Sequence, residues 1–227
     1  MLDRRQQKAL AALAGVRQRV PTGVALTFDD GPVPGTTDLV LDTLATLDVQ
    51  ATFFCVGRNA ARHPALLQRM RAEGHSVGSH SLTHAAPGTQ SPAELLEDFV
   101  AGRKAVEDGL GADVPLFRPP YGRLHVRTVR LLRSYDTWVM SVDSGDWLPS
   151  ATTAAVDTVL RDVDSGDVVL LHDWLEPVVP HSHDRSATIA SVERLVARLR
   201  RDGVPLVGLP TGTAPPPAAT RPRPSRT

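Results

Sequence analysis

The chain has 227 residues, long enough for one large domain with a sizeable core. Lys plus Arg and Asp plus Glu both number 25, a balance that argues against an electrostatic grip on nucleic acid or on an anionic membrane. No apolar run is long enough to insert into a bilayer, and the lone Cys55 excludes an intrachain disulfide framework.

From the amino end, residues 1–21 read as an N-terminal helical segment. "MLDRRQQKALAALAGVRQRV" is amphipathic and lacks the uninterrupted apolar core of a secretion signal. The expected location is cytoplasmic, or the cell envelope or medium if the chain is trimmed. From 22 to 209, short apolar runs alternate with helix-like segments. The runs fall at 23–28, 51–56, 75–79, 114–118, 137–142, 167–171 and 204–207. Helices are predicted over 37–47, 60–72, 92–108, 125–134, 151–162 and 187–202, the third opened by the cap pair Ser91-Pro92. Such alternation predicts an α/β fold with a mostly parallel sheet, and seven or eight units suggest a closed or nearly closed barrel. An open doubly wound sheet is the rival. Residues 210–227, proline-rich and basic, read as a disordered tail.

Polar residues gather directly after the apolar runs. Asp29 and Asp30 follow the first, His80 and His84 the third, Arg118 and Tyr121 the fourth, Asp143 and Asp146 the fifth, His172 and Asp173 the sixth. All then sit at the carboxyl ends of strands, where barrel sites are built. Two imidazoles and a carboxylate suit zinc or a similar divalent ion. Asp30 is assigned to that ion, with His80 and His84, and Asp29 stays free as general base for a metal-activated water. Arg118 would hold Asp29 ionised, the Tyr121 N–H would stabilise an oxyanion, and His172, its pKa raised by Asp146, would protonate the leaving amine. Each element has a plainer reading. Asp29-Asp30-Gly31-Pro32 alone is equally a solvated turn, an isolated HxxxH is commonly structural, Arg118 and Asp146 suit ion pairs, and His172 suits a satisfied core histidine.

In their order and intervals, "TFDDGP", "HSLTH", "RPPYG", "DSGDW" and "LLHD" resemble the five motifs of the polysaccharide deacetylases, also called NodB homology domains or carbohydrate esterase family 4. The resemblance covers roughly residues 22–208. It implies a distorted (β/α) barrel of seven to eight strands, with a divalent metal on Asp30, His80 and His84. That metal is usually Zn2+, with Co2+ or Ni2+ as alternatives. It also implies hydrolysis of an N-acetyl group from an amino sugar, whether a chitooligosaccharide, a peptidoglycan fragment or an N-acetylglucosamine conjugate. Asp29, His172, Arg118, Asp146 and Tyr121 take the catalytic roles given above, and Trp147 and Leu171 belong to the wall around the acetyl methyl. The alternatives are an O-acetyl xylan or sugar esterase, and a metal-dependent amidase acting on a small molecule through the same site. A two-histidine-one-carboxylate iron oxygenase shares the ligand types, but needs neither Asp29 nor His172. A non-catalytic sugar-binding domain is the remaining rival.

With three Trp, two Tyr and five Phe, the chain has few rings for stacking on sugars, and Trp147, Trp174 and Tyr121 are the best placed. The expected partner is a short acetylated oligosaccharide or conjugate, without nucleic acid or membrane insertion; the oligomeric state is left open. His181 and His183, after the fifth motif, read as solvated histidines on a rim loop, or as an accessory metal site. His75, Cys55 and Trp138 read as structural.

Overall fold

The structure, a computed structural model, describes residues 3–86 and 88–210. The tail expected over 210–227 therefore lies, from residue 211 on, outside the described residues. Among the described residues seven strands form one sheet: β1 (Ala25–Asp29), β2 (Thr52–Cys55), β3 (Ser76–Ser79), β4 (Leu116–Phe117), β5 (Asp136–Thr137), β6 (Val142–Asp143) and β7 (Val168–His172). Their order is β5-β4-β3-β2-β1-β7-β6, with every pairing parallel. The two edge strands, β5 and β6, are consecutive in sequence. Only residues 138–141 join them, a link that reaches about 17 Å at most. A sheet tethered at both edges in this way must curl. The result is a half-barrel of the expected (β/α) type, its seam lined by residues 17–20, where Arg17 pairs with Trp138 and Arg19 with Asp167.

This closure corrects two expected strands. The run 137–142 is not one strand but the crossing itself. Trp138 N–H donates to the Phe117 carbonyl of β4, whereas Ser141 N–H donates to the Val168 carbonyl of β7. The run 204–207 forms only a bridge, in which Leu206 pairs with Val24. Gly23 permits that approach, because a Cβ there would lie 2.6 Å from the Pro205 carbonyl oxygen.

The helices are α1 (Arg4–Ala14), α2 (Thr37–Thr46), α3 (Gly57–Arg62), α4 (Pro64–Ala72), α5 (Pro92–Leu110), α6 (Val129–Leu132), α7 (Thr153–Leu160) and α8 (Ser186–Arg201). α1 stops short of the predicted helical segment because Gly15 adopts left-handed φ 69 and caps Ala11 and Ala12. The helix predicted over 60–72 breaks at His63 because Pro64 has no N–H to continue it, yet suits the first position of α4. Ser91 and Glu94 open α5 with a reciprocal capping box.

Strand alternation separates two apolar layers. Leu26, Phe28, Phe53, Val169 and Leu171 pack outward, in one cluster with Leu41, Leu67, Val156 and Leu195 of the helices. Ala25, Phe54, Leu116, Trp138 and Val168 point inward and fill the barrel. Above this plug the inward positions turn polar: Thr27, Asp29, Arg118 and His172 continue the same faces and are buried. That change of chemistry along single strands sets the floor of the site.

Candidate active site

β1 ends where Asp30 takes left-handed φ 83, which lets neighbouring carboxylates reach the same rim although strand geometry would send them to opposite faces. Gly31 must be glycine, since a Cβ there would meet Asp173 Oδ2 at 1.9 Å. Asp173 clamps this turn, accepting from Gly31 N–H at 3.2 Å and from the Thr37 hydroxyl at 2.5 Å. Asp30 is gripped from two more sides. Its Oδ2 accepts from Glu176 N–H at 2.8 Å, and its carbonyl accepts from the Asn59 amide at 2.9 Å. Glu176 in turn is held by Asn59 at 3.2 Å and by Arg58.

Asp30 Oδ1 is left, buried and without a hydrogen-bond partner. Facing it are Nε2 of His84 at 3.3 Å and Nε2 of His80 at 3.6 Å. The histidines stand on a tight loop after β3, in which Ser81 and His84 have φ 64 and 53. His80 Nδ1 lies 2.7 Å from the Arg118 carbonyl oxygen; a carbonyl only accepts, so Nδ1 carries the proton and Nε2 presents a lone pair. Burial pushes His80 down to about 3 and His84 to about 2, so neither is cationic near neutrality. Burial pushes Asp30 up to about 8, so a proton or a cation must sit between its Oδ1 and the imidazole lone pairs. Tetrahedral zinc with bonds of about 2.0–2.1 Å separates its donors by about 3.3–3.4 Å. The separations from Asp30 Oδ1 fall close to that, and all three donors lie within 4.8 Å of one another. The residues fit a divalent ion.

Asp29 is buried beside this set. Its Oδ1 accepts from Arg118 Nη1 at 2.7 Å, and its Oδ2 lies 3.6 Å from His80 Nε2. Burial raises its pKa above the usual carboxylate range, while Arg118 and His172 oppose the rise. Arg118, fully buried over the Phe54 ring at 4.2 Å, also donates to the Thr27 hydroxyl at 2.8 Å, which passes a bond to the Val169 carbonyl at 2.6 Å. Across the cleft, His172 Nδ1 lies 2.7 Å from Asp146 Oδ1. Burial alone would lower His172, but the Asp146 carboxylate, with Asp30 and Asp29, overcomes it and lifts the imidazole to about 9. Asp146 is kept anionic by donors: Thr188 Oγ1 at 2.8 Å, Ser144 Oγ at 3.0 Å and His172 N–H at 2.9 Å.

Asp29, Asp30, His80, His84, Tyr121, Trp147 and His172 thus share one cleft of about 490 Å3. Tyr121 has φ 59 and stands over His84, ring centroids 4.6 Å apart. Trp147 is half-exposed on the rim, its indole N–H bonded to Asp143 at 3.1 Å. Leu171 needs correcting: it is not in the wall but fully buried in the outer core, because alternation on β7 sends Leu170 and His172 inward and Leu171 outward. Leu170 and Leu175 line the cleft instead. Trp174 is also buried, edge-on to His183 at 4.7 Å, and offers no stacking face. His181 Nε2 donates to the Trp147 carbonyl at 3.2 Å. Among the described residues Asp30, His80 and His84 are the only cluster with metal-ligand spacing, so His181 and His183 form no accessory site there. His75 accepts from Ala51 N–H at 3.1 Å, and Cys55 and Trp138 are core, as expected. The sequence reading missed Thr27, Asn59, Glu176 and Thr188, and gave no role to Asp173. Each acts through partners dozens to well over a hundred residues away; the only local signal is a carboxylate or amide embedded in apolar surroundings, as in "VGRNAA" and "LLHDWLEP".

The family model of polysaccharide deacetylase matches residues 17–140. The chain is also 33% identical over 204 residues, 87% of its length and 92% of the relative's, to the peptidoglycan-N-acetylglucosamine deacetylase of Bacillus cereus. It belongs to the polysaccharide deacetylase family. A chitooligosaccharide deacetylase of Bradyrhizobium is a similar relative, at 34% over 82% of this chain and 89% of that one. Among solved structures, the family 4 carbohydrate esterase from Streptomyces lividans in complex with acetate superposes with TM-score 0.70 and 30% identity, covering 83% of this chain and 92% of that one. As a polysaccharide deacetylase the chain is an enzyme, a hydrolase, and its fold is the NodB-like half-barrel.

Proposed function

We propose that this deacetylase hydrolyses the N-acetyl group of an N-acetylglucosamine unit in an oligosaccharide or conjugate. The observation that carries this reading is the pairing, in one cleft, of a cation-fitting triad with an Arg118-held carboxylate on one side and an Asp146-held imidazolium on the other. The relatives support the sugar: one is named for peptidoglycan N-acetylglucosamine and another for chitooligosaccharides, which have that unit in common.

Asp30, His80 and His84 would hold the ion, which on this donor set is Zn2+, with Co2+ or Ni2+ as substitutes. When bound, it supplies Lewis acidity to the attacking water and to the acyl oxygen. The chain does the rest. Asp29, kept in place by Arg118, removes a proton from the water that adds to the carbonyl carbon. The Tyr121 N–H, set by the left-handed turn after Pro119-Pro120, donates to the developing oxyanion. His172, still protonated at neutral pH, gives its proton to the amine as the C–N bond breaks, releasing acetate and the free amino sugar. Trp147 offers a ring to the sugar face at the rim.

Acetate release from chitooligosaccharides and from peptidoglycan fragments tests the reading. Release from either supports it. No release from any N-acetyl sugar, with turnover of a small acylated amide, would place the same site in a different amidase.

A further inference from the structure

A second cavity, of about 510 Å3, adjoins the cleft. It is walled by Pro92, Leu95 and Phe99 of α5 and by Pro120, Leu124 and Val126 of the loop that carries Tyr121. Its size is that of a small-molecule site. The two cavities share Arg123 as a wall, and consecutive residues divide between them: His84 lines the cleft and Ala85 the second cavity, Tyr121 the cleft and Pro120 the cavity.

Both are largely apolar, and they differ in the polar groups they hold. The cleft is lined by carboxylates and imidazoles. In the second cavity several polar wall groups are bonded within the protein. The Gln7 amide exchanges two bonds with the Leu124 main chain, at 3.0 and 3.1 Å. His125 Nδ1 accepts from Arg127 N–H at 3.2 Å. Asp98 Oδ1 accepts from the Thr83 hydroxyl at 2.7 Å, and its Oδ2 is buried without a hydrogen-bond partner. Most of the wall is apolar, so a ligand here gains chiefly by burying apolar surface. The rim of the neighbouring cleft is apolar too: Tyr121 and Trp147 are each 44% exposed, and Val126, on the second cavity, 61%.

We infer that the second cavity receives an apolar group attached to the acetylated sugar, so that the favoured substrate is an amphiphilic conjugate rather than a bare glycan. This rests on the function proposed above. An aglycone on the anomeric oxygen leaves the ring from the carbon next to the one bearing the acetamide. A sugar whose acetyl group lies at Asp30, His80 and His84, with its anomeric carbon turned toward Arg123, starts its aglycone close to the border between the two cavities.

The test is a series of N-acetylglucosamine β-glycosides with methyl, butyl and octyl aglycones, measured for acetate release beside chitotriose. Each buried methylene favours binding by about fourfold. The octyl glycoside should therefore exceed the methyl one at least tenfold in kcat/KM, through KM. Val126→Asp, at an exposed position, should remove that advantage and leave the methyl glycoside within twofold. Acetate release that is indifferent to aglycone length overturns the inference and leaves the proposed function standing; no release from any glycoside overturns the function itself. A second measurement is independent of turnover: titration with octyl β-glucoside, which has no acetamide. Saturable binding weakened by Val126→Asp supports the cavity, and absence of saturable binding below the detergent's micellar concentration overturns it.

Discussion

Three buried histidines share the cleft and are held in opposite states. His80 and His84, on the loop after β3, are pushed down to about 3 and 2 by burial. His172, at the end of β7, suffers the same burial yet is lifted to about 9, because Asp146 lies 2.7 Å from its ring. The partner decides the difference. Asp146 spends both carboxylate oxygens on hydrogen bonds and remains an anion, whereas Asp30 keeps Oδ1 without a partner. One wall therefore offers lone pairs and the other holds a proton, which in the proposed mechanism serve a cation and the leaving group.

Removing the first wall has the largest expected effect. His84→Ala takes away one of three donors. It should weaken Zn2+ binding by at least a hundredfold and bring acetate release to background, read by metal content after dialysis and by turnover. Next comes the acid. Asp146→Asn removes the main cause that lifts His172 to about 9, so its pKa falls. The basic limb of kcat should move to lower pH, and kcat at neutral pH should drop by about 10²–10⁴. An unchanged basic limb would mean that His172 is not the acid.

The same pair contributes to stability, with a definite sign. Below 6.5 the folded and unfolded chains both carry the His172 proton, and the Asp146 contact contributes in full. Between 6.5 and about 9 the unfolded chain sheds that proton while the folded chain keeps it, so the contribution declines as pH rises and is gone above about 9. Asp146→Asn should flatten this alkaline decline in denaturant midpoint.

Arg118→Leu addresses the support under Asp29. It leaves Asp29 as a buried carboxylate without its guanidinium, a change that costs about 3–5 kcal/mol in denaturant unfolding. The smallest effect belongs to Thr188→Val, which removes one of the donors to Asp146 at a cost of about 1 kcal/mol. It should shift the basic limb in the same direction as Asp146→Asn, by a fraction of a unit.

Much of this site could be read from the letters because it obeys simple rules. Asp29, Arg118 and His172 each end an apolar run, so they stand at carboxyl ends of strands, and Asp30, His80 and His84 follow within five residues on the turns. What could not be read depended on phase and on distant partners. Leu171 and Leu170 are indistinguishable in a run that is apolar throughout; only the pairing of Leu171 with Phe28 on β1 shows which face each takes. The run 137–142 has the composition of one strand, yet its two ends bond to opposite edges of a curled sheet, which no local pattern records. Glu176 and Asn59 position Asp30 across 146 and 29 residues of sequence, as its backbone and amide donors.

The most direct test of the account is to measure bound Zn2+ and acetate release together in the native protein, Asp29→Asn and Asp30→Asn. Asp29→Asn should retain one Zn2+ per chain and lose turnover, while Asp30→Asn should lose both. A protein that binds the ion through Asp29 and still turns over without Asp30, or that binds no divalent ion in its native form, would contradict the division of labour derived for this cleft.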